Sequence, residues 1–133
     1  MYLFGVVQWV TTLLQQERIE DATRVLDGRL GLTAWWPERR TYHATEFVAF
    51  NAMLGLYFVA TGNRTAAGNQ LKIIAQILPD HPAVRALEIA IVREAIRLLA
   101  EEARDGPMLE PPAPRPVLGT RARLRKILER APW

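Results

Sequence analysis

The side chains that most often carry out covalent chemistry are missing from this sequence. Its 133 residues include no Cys, and the printed sequence contains no Ser. Disulfides, thiolate metal sites and the two common nucleophiles of hydrolases are therefore excluded. The composition alone argues against an enzyme of the catalytic-triad class.

The remaining polar residues form no recognisable cofactor, metal or acid–base motif. His43 and His81 are far apart, and neither belongs to a set of ligands with metal-binding spacing. The segment 28–31 lacks the Lys-Thr pair or the third Gly of a phosphate-binding loop. Glu101 and Glu102 are neighbours on a predicted helix and point apart, which does not suit a catalytic pair. The sequence therefore predicts no catalytic residue, no metal site, no cofactor and no enzymatic activity.

Hydrophobic periodicity and helix-breaking residues predict an all-α chain, because no window alternates apolar and polar residues as a strand would. Six helices are expected, over residues 3–16, 19–30, a segment through 46 to about 61, 64–78, 82–104 and 121–130. Pro37 is expected in the first turn of a restarting helix, and Asp80 or His81 is expected to cap the helix that begins at Pro82. The connections are short, so consecutive helices should pack as antiparallel neighbours.

Two apolar segments, 1–14 and 47–60, could be taken for membrane spans. Both are shorter than the roughly 18 to 20 residues that a spanning helix needs. The first also lacks the basic start and the cleavage site of a signal peptide. We therefore expect two core helices, no transmembrane segment and a cytoplasmic protein, which the absence of Cys also fits. Trp35, Trp36 and Tyr42 are expected to cover a core rather than to form a stacking surface.

Composition and charge divide the chain into three parts. Residues 1–105 are predicted to form a helical domain, residues 106–118 a Pro-rich linker that favours an extended conformation, and residues 119–133 a basic tail. Residues 104–133 carry seven basic and three acidic groups, whereas residues 1–103 carry ten and eleven. The predicted domain is therefore close to neutral, and the net positive charge lies in the tail.

Small and large apolar residues occur at fixed spacing between residues 51 and 79. They are Leu54, Gly55, Phe58, Gly62, Ala67, Leu71 and Pro79. This segment resembles one unit of the tetratricopeptide repeat (TPR), a pair of antiparallel helices with small residues at their crossing, although Ile74 stands where Ala is usual. The resemblance implies that Gly55 and Ala67 allow two helix backbones to approach. Leu54, Phe58 and Leu71 are expected to fill the space beside that contact.

The rest of the chain matches the repeat less well. Residues 13–30 look like a degenerate earlier unit with Ala22 on the small-residue site, but Ala22 and Ala67 are 45 residues apart, whereas the TPR period is about 34. An insertion of about eleven residues around Trp35-Trp36 would account for the difference. The helix 82–104 is expected to act as a terminal cap. The resemblance thus implies antiparallel hairpins stacked as a short TPR-like α-solenoid.

In TPR proteins the first helix of each unit lines a groove that receives a peptide or a helix of another protein. Carried over by register, the groove positions here are Ala49, Ala52, Leu56, Val59 and Ala60. All are apolar or small, so the resemblance implies an apolar partner surface and a role as an adaptor, scaffold or chaperone-type subunit. The same residues could instead pack against the first helical pair or a second copy of the chain.

The helix 82–104 has more apolar surface than one neighbour can cover. One stripe consists of Val84, Leu87, Ile91, Ala95 and Leu98, and a second stripe beside it consists of Ile89, Val92, Ile96 and Leu99. A homodimer through this helix, a bound partner or the chain's own tail is expected to cover the excess.

The tail combines an apolar side with basic residues. Its expected contact residues are Arg121, Leu124, Arg125, Ile127 and Leu128. The alternative function of the chain is therefore binding of nucleic acid or of an anionic membrane surface through this tail. Short basic helices are more often solvated faces or docking segments for other proteins, so nucleic acid is not the expected main partner.

Overall fold

The computed structural model describes residues 2–105, and every regular element in that range is an α-helix. The helices are α1 (Leu3–Gln15), α2 (Ile19–Leu26), α3 (Leu32–Trp35), α4 (Ala44–Ala60), α5 (Arg64–Ile77) and α6 (Pro82–Asp105). The all-α prediction is confirmed for this part of the chain. The predicted linker 106–118 and tail 119–133, with its helix 121–130, lie outside the described residues.

The helix α4 lies at the centre of the fold. It contacts α1 and α2 as well as α5 and α6. Its buried residues include Val48, Phe50, Leu54 and Gly55, which point in different directions around the helix axis. A helix that is apolar on every side is stable in water only when other elements surround it. The composition of α4 therefore accounts for its central position.

The first core lies between α4 and the N-terminal helices. One face of α1 is buried, and its residues recur at three- and four-residue steps: Leu3, Val6, Val10 and Leu13. They cluster with Ala22 and Leu26 of α2, Leu32 of α3, and Phe50, Met53 and Leu54 of α4. A 2.9 Å hydrogen bond between the hydroxyls of Thr23 and Tyr57 joins α2 to α4 beside this core.

The second core lies between α4, α5 and α6. Its buried members are Val48 and Ala52 of α4, Ala67, Leu71 and Ile74 of α5, and Val84, Leu87 and Ile91 of α6. Phe58 packs against both cores and so connects the two halves of the fold. Because α4 contributes residues to both cores, its position is fixed by packing on two sides.

Turn and capping residues fix the starts of α5 and α6. Gly62 has φ = 81°, a left-handed conformation that Gly adopts without strain. The side chain of Asn63 then accepts a 3.2 Å hydrogen bond from a backbone N–H in the first turn of α5. At α6, Nδ1 of His81 accepts a 3.0 Å hydrogen bond from the backbone N–H of Ala83. The cap of α6 is therefore His81, one of the two residues predicted for that role.

Two helix boundaries differ from the predictions by several residues, and the short helix α3 is not among the six predicted helices. α2 ends before residue 30 because Asp27 and Gly28, with φ of 48° and 74°, turn the chain out of the helix. The predicted restart at Pro37 is wrong, since α4 begins only at Ala44. Trp36 has φ = −130° and ψ = 70°, as expected for a residue before Pro, which avoids the helical region.

The segment between α2 and α4 covers the first core, as expected for its aromatic residues. Trp35, Trp36 and Tyr42 pack against that core, and the ring of Trp36 meets the ring of Phe50 edge-on at 5.9 Å. The indole N–H of Trp35 donates a 2.9 Å hydrogen bond to the carbonyl of Arg29, and the Arg29 guanidinium lies 3.5 Å from the Trp35 ring centre. These contacts make the segment part of the folded body.

Candidate partner-binding surface

One line of apolar residues along α4 is partly open to solvent. Ala60 is exposed, and Ala49 and Leu56 are half-buried. Their spacing of seven and four residues places them one above another on the helix. None of the three carries a charge or a hydrogen-bonding side chain. These residues, named here the α4 strip, therefore offer a partner only apolar contact.

Of the two other predicted groove residues, only Ala52 lies deeper in the fold than the α4 strip. Ala52 is 4% exposed and belongs to the second core. Val59 is half-buried and packs against the same core, as does Leu56. Ala52 therefore contributes to packing within the chain, and a partner would meet mainly the α4 strip. The binding role of these five residues stays a prediction.

The small residues of the repeat resemblance lie in or beside the second core, and Gly55 faces α6 rather than Ala67 of α5. A Cβ placed on Gly55 would come within 2.5 Å of Cδ2 of Leu87 in α6. Ala67 is fully buried in the core to which Leu87 also belongs. Gly55 thus allows α6 to approach α4 closely, beside the core that contains Ala67.

The larger residues of the resemblance are divided between the two sides of α4. Leu71 lies in the second core, and Phe58 packs against both cores. Leu54 is buried in the first core, so it packs towards α1 and α2 rather than beside Leu71. Pro79 is exposed in the connection between α5 and α6.

A charged pair fixes the N-terminal end of α4, and sequence reasoning missed it. Arg39 donates two hydrogen bonds of 2.9 and 2.5 Å to the carboxylate of Glu46, and the backbone N–H of His43 donates a third of 2.9 Å. These bonds lie beside the α4 strip's first residue and set the direction in which the helix starts. The sequence contains one signal for this pair. Glu46 lies three residues after His43, the residue that precedes α4, and this is the position of the Glu in a capping box.

The electrostatics of this pair follow from its geometry. Glu46 is 8% exposed, so its negative charge needs partners. The hydrogen bond from Arg39, and next the one from the His43 backbone, lower the pKa of the Glu46 carboxyl. The same bond raises the pKa of the Arg39 guanidinium. The pair is therefore ionised at neutral pH and acts as a structural anchor of α4.

The outer stripe of α6 is a second apolar surface. Ile89 is 41% exposed and Ile96 is 58% exposed, whereas Val92 and Leu99 are half-buried. The neighbouring stripe is buried at Val84, Leu87 and Ile91, and half-buried at Ala95 and Leu98. The predicted excess of apolar surface on this helix is thus present. The tail residues Arg121, Leu124, Arg125, Ile127 and Leu128 lie outside the described residues.

Neither a metal-binding cluster nor a membrane-spanning helix is found within residues 2–105. No group of three His, Asp or Glu side chains in this range is arranged to hold a metal ion. Of the six described helices, none has both the length and the apolar composition that crossing a bilayer requires.

Comparison of the chain with protein-family models, with curated proteins and with solved structures finds no match. The resemblance to the TPR therefore rests on the residues between 51 and 79.

Proposed function

We propose that this chain is a non-catalytic protein–protein interaction module, an adaptor, scaffold or chaperone-type subunit of a larger cytoplasmic assembly. It binds a helix or an extended peptide of another protein along the α4 strip. In this proposal the helices form a short TPR-like stack. α1, α4 and α6 are then the first helices of successive units.

The order of helix contacts is the observation that carries this proposal. α1 packs with α2, and α4 packs with α5, so each pairs with a helix that follows it after a short connection. α4 also contacts α1 and α6, which supports a side-by-side order of these three helices. In a TPR stack the first helices line the groove, and the α4 strip contains the residues of α4 that would face it.

The chemistry of the strip determines the kind of partner. Ala49, Leu56 and Ala60 present methyl and methylene groups without a charge. A partner therefore gains by burying apolar side chains, as a helix does with one apolar face in a groove. Small side chains at two of the three positions leave room for large residues from the partner. Salt should have little effect on this interaction, because no ion pair is needed.

A photo-crosslinking amino acid at position 60 tests the proposal while the partner is still unidentified. The full chain would carry p-benzoylphenylalanine at Ala60 or at Ala86, and would be irradiated in the cells that express it naturally. Ala86 is an exposed Ala in α6 and serves as the matched control position. We expect discrete crosslinked proteins at position 60 and none of the same species at position 86.

A charged substitution in the α4 strip shows whether the crosslinked proteins bind the strip or merely come close to it. Ala49→Glu should abolish the crosslinks from position 60, while Ala86→Glu should leave them unchanged. Circular dichroism would establish that both variants keep their helix content. The proposal fails if positions 60 and 86 crosslink the same proteins, or if Ala49→Glu leaves the pattern intact. A crosslink between two copies of the chain would show that the α4 strip mediates self-association instead of an adaptor role.

A further inference from the structure

The outer stripe of α6 lacks a covering element within residues 2–105. Ile89, Val92, Ile96 and Leu99 lie three or four residues apart, so they form one line about 15 Å long. Two of these four side chains, Ile89 and Ile96, are among the exposed large apolar side chains of the described residues. Such a line of neighbouring apolar side chains on a helix usually packs against another element.

The pattern of the earlier helices indicates which element belongs there. α1 packs with α2 and α4 packs with α5, in both cases with a helix that comes soon after in the chain. α6 is the next helix in this order, and the segment that follows it is residues 106–133. We propose that this C-terminal segment folds back and covers the outer stripe of α6 with Leu124, Ile127 and Leu128. It thereby supplies the second helix of a third pair.

The length of the segment suits this position. Leu99 lies only about 9 Å before the end of α6 at Asp105. Residues 106–119 can span up to about 46 Å when extended, so they can bring residues 120–130 alongside the stripe. If residues 120–130 form the predicted helix, it is about 16 Å long, which matches the stripe.

Covalent attachment also favours this occupant over a separate molecule. A segment joined to its binding surface by a short linker that can reach it has an effective concentration on the order of millimolar. Burial of three large aliphatic side chains, even partial, provides an attraction of several times the thermal energy. A weak apolar contact is therefore enough to keep the segment on α6 for most of the time.

The charges around the stripe predict how this docking depends on salt. Arg85 and Arg93 border Ile89 and Val92, and neither forms an ion pair with any described residue, while Glu88 borders the same residues. The C-terminal segment is itself basic, so its charges add no net attraction to this rim. Docking must then depend on apolar contact, and it should persist in 1 M NaCl.

The absence of Cys from the chain permits a clean crosslinking test. Ile96→Cys combined with Leu124→Cys in the full chain would be oxidised, and formation of the intramolecular disulfide would be followed by loss of free thiol and by gel mobility. Two control pairs carry one Cys elsewhere: Ala86→Cys with Leu124→Cys, and Ile96→Cys with Lys126→Cys. Ile96 and Ala86 are exposed, so both Cys variants should fold.

We expect the Ile96–Leu124 pair to form its disulfide at least tenfold faster than either control pair, at equal rates in 0.1 and 1 M NaCl. Equal rates in all three pairs would overturn the proposal, because the segment would then have no preferred site. A disulfide-linked dimer as the main product would assign the stripe to a second copy of the chain. A rate that falls steeply with salt would show contact through charge instead of apolar docking, and would equally overturn it. None of these outcomes depends on a partner at the α4 strip.

Discussion

Gly55 of α4 lies directly against Leu87 of α6: a Cβ at position 55 would be 2.5 Å from Cδ2 and 2.8 Å from Cδ1 of that side chain. Leu87 is fully buried in the second core. Protein interiors are packed as densely as organic crystals, so the Leu87 side chain has little space into which it could move. The missing side chain of Gly55 is therefore part of the packing between α4 and α6.

Gly55→Ala should destabilise the chain although Ala favours helices. In a helix interior this change normally stabilises by up to about 1 kcal/mol, but overpacking a core typically costs about 1–3 kcal/mol. We expect a net loss of up to about 2 kcal/mol in the free energy of unfolding, measured by urea denaturation. Gly5→Ala is the control, since a Cβ there would be 3.8 Å from Tyr2, an ordinary contact. Equal stability of the two variants would show that Leu87 yields without cost.

Glu46→Gln should destabilise the chain in a pH-dependent manner. Hydrogen bonds from Arg39 and His43 lower the pKa of the folded carboxyl below its ordinary value. The resulting stabilisation is complete above the unfolded pKa of about 4.3 and is lost as the pH falls through the lower folded pKa. Arg39 stays protonated throughout, because its pKa is raised. The stability difference between the wild-type chain and Glu46→Gln should therefore be largest near neutral pH and should shrink in acid.

A matched variant controls for the change in net charge. Glu38→Gln removes the same charge from an exposed residue close to the pair. Urea denaturation at a series of pH values between 3 and 7 would compare both variants with the wild-type chain. If the two Gln variants lose the same stability at every pH, the loss at Glu46 reflects net charge and not its bond with Arg39.

Some of this structure follows from the sequence because the signals are local. α4 ends near residue 61 and α5 begins at residue 64 as predicted, because the left-handed Gly62 and the Asn63 cap between them act within one turn of the chain. The contact of Gly55 with Leu87 joins residues 32 positions apart. The spacing of small residues indicates that helices approach closely there, but it does not say which helix approaches.

The start of α4 and the exposure of its predicted groove residues depend on tertiary contacts. Arg39 lies in the irregular segment before α4 and reaches Glu46 in the first turn of that helix, so no helical or strand periodicity relates them. Ala52 and Ala60 are both Ala on the same helix, yet Ala52 is buried against α5 and α6 and Ala60 is exposed. The amino-acid type and the helical register could not predict which of the two residues is buried, because burial depends on where the neighbouring helices lie.

Gln70→Met should stabilise the chain. The Oε1 atom of Gln70 in α5 is buried and accepts no hydrogen bond from any described residue. A buried acceptor without a donor typically costs about 1–3 kcal/mol, and Met has nearly the same shape without that acceptor. We expect a gain of about 1 kcal/mol in the free energy of unfolding, because part of the side chain stays in contact with water. Gln76→Met, at an exposed position of the same helix, should change stability little. A loss of stability at position 70 would mean that the amide has a partner in solution.

His81→Ala should weaken the start of α6. Nδ1 of His81 accepts a 3.0 Å hydrogen bond from the backbone N–H of Ala83, which otherwise has no partner in the first helical turn. Loss of an N-cap costs about 0.5–2 kcal/mol, measurable as a lower urea midpoint. His81→Asn should restore most of the stability, because an Asn side chain can accept the same bond.

Asp80 provides the control for this cap, because it precedes His81 and has a side chain that often caps helices. Its side chain is exposed and accepts no bond from the first turn of α6 among the described hydrogen bonds. Asp80→Ala should therefore leave the urea midpoint nearly unchanged. If Asp80→Ala destabilises the chain as much as His81→Ala does, the cap in solution is shared between the two side chains.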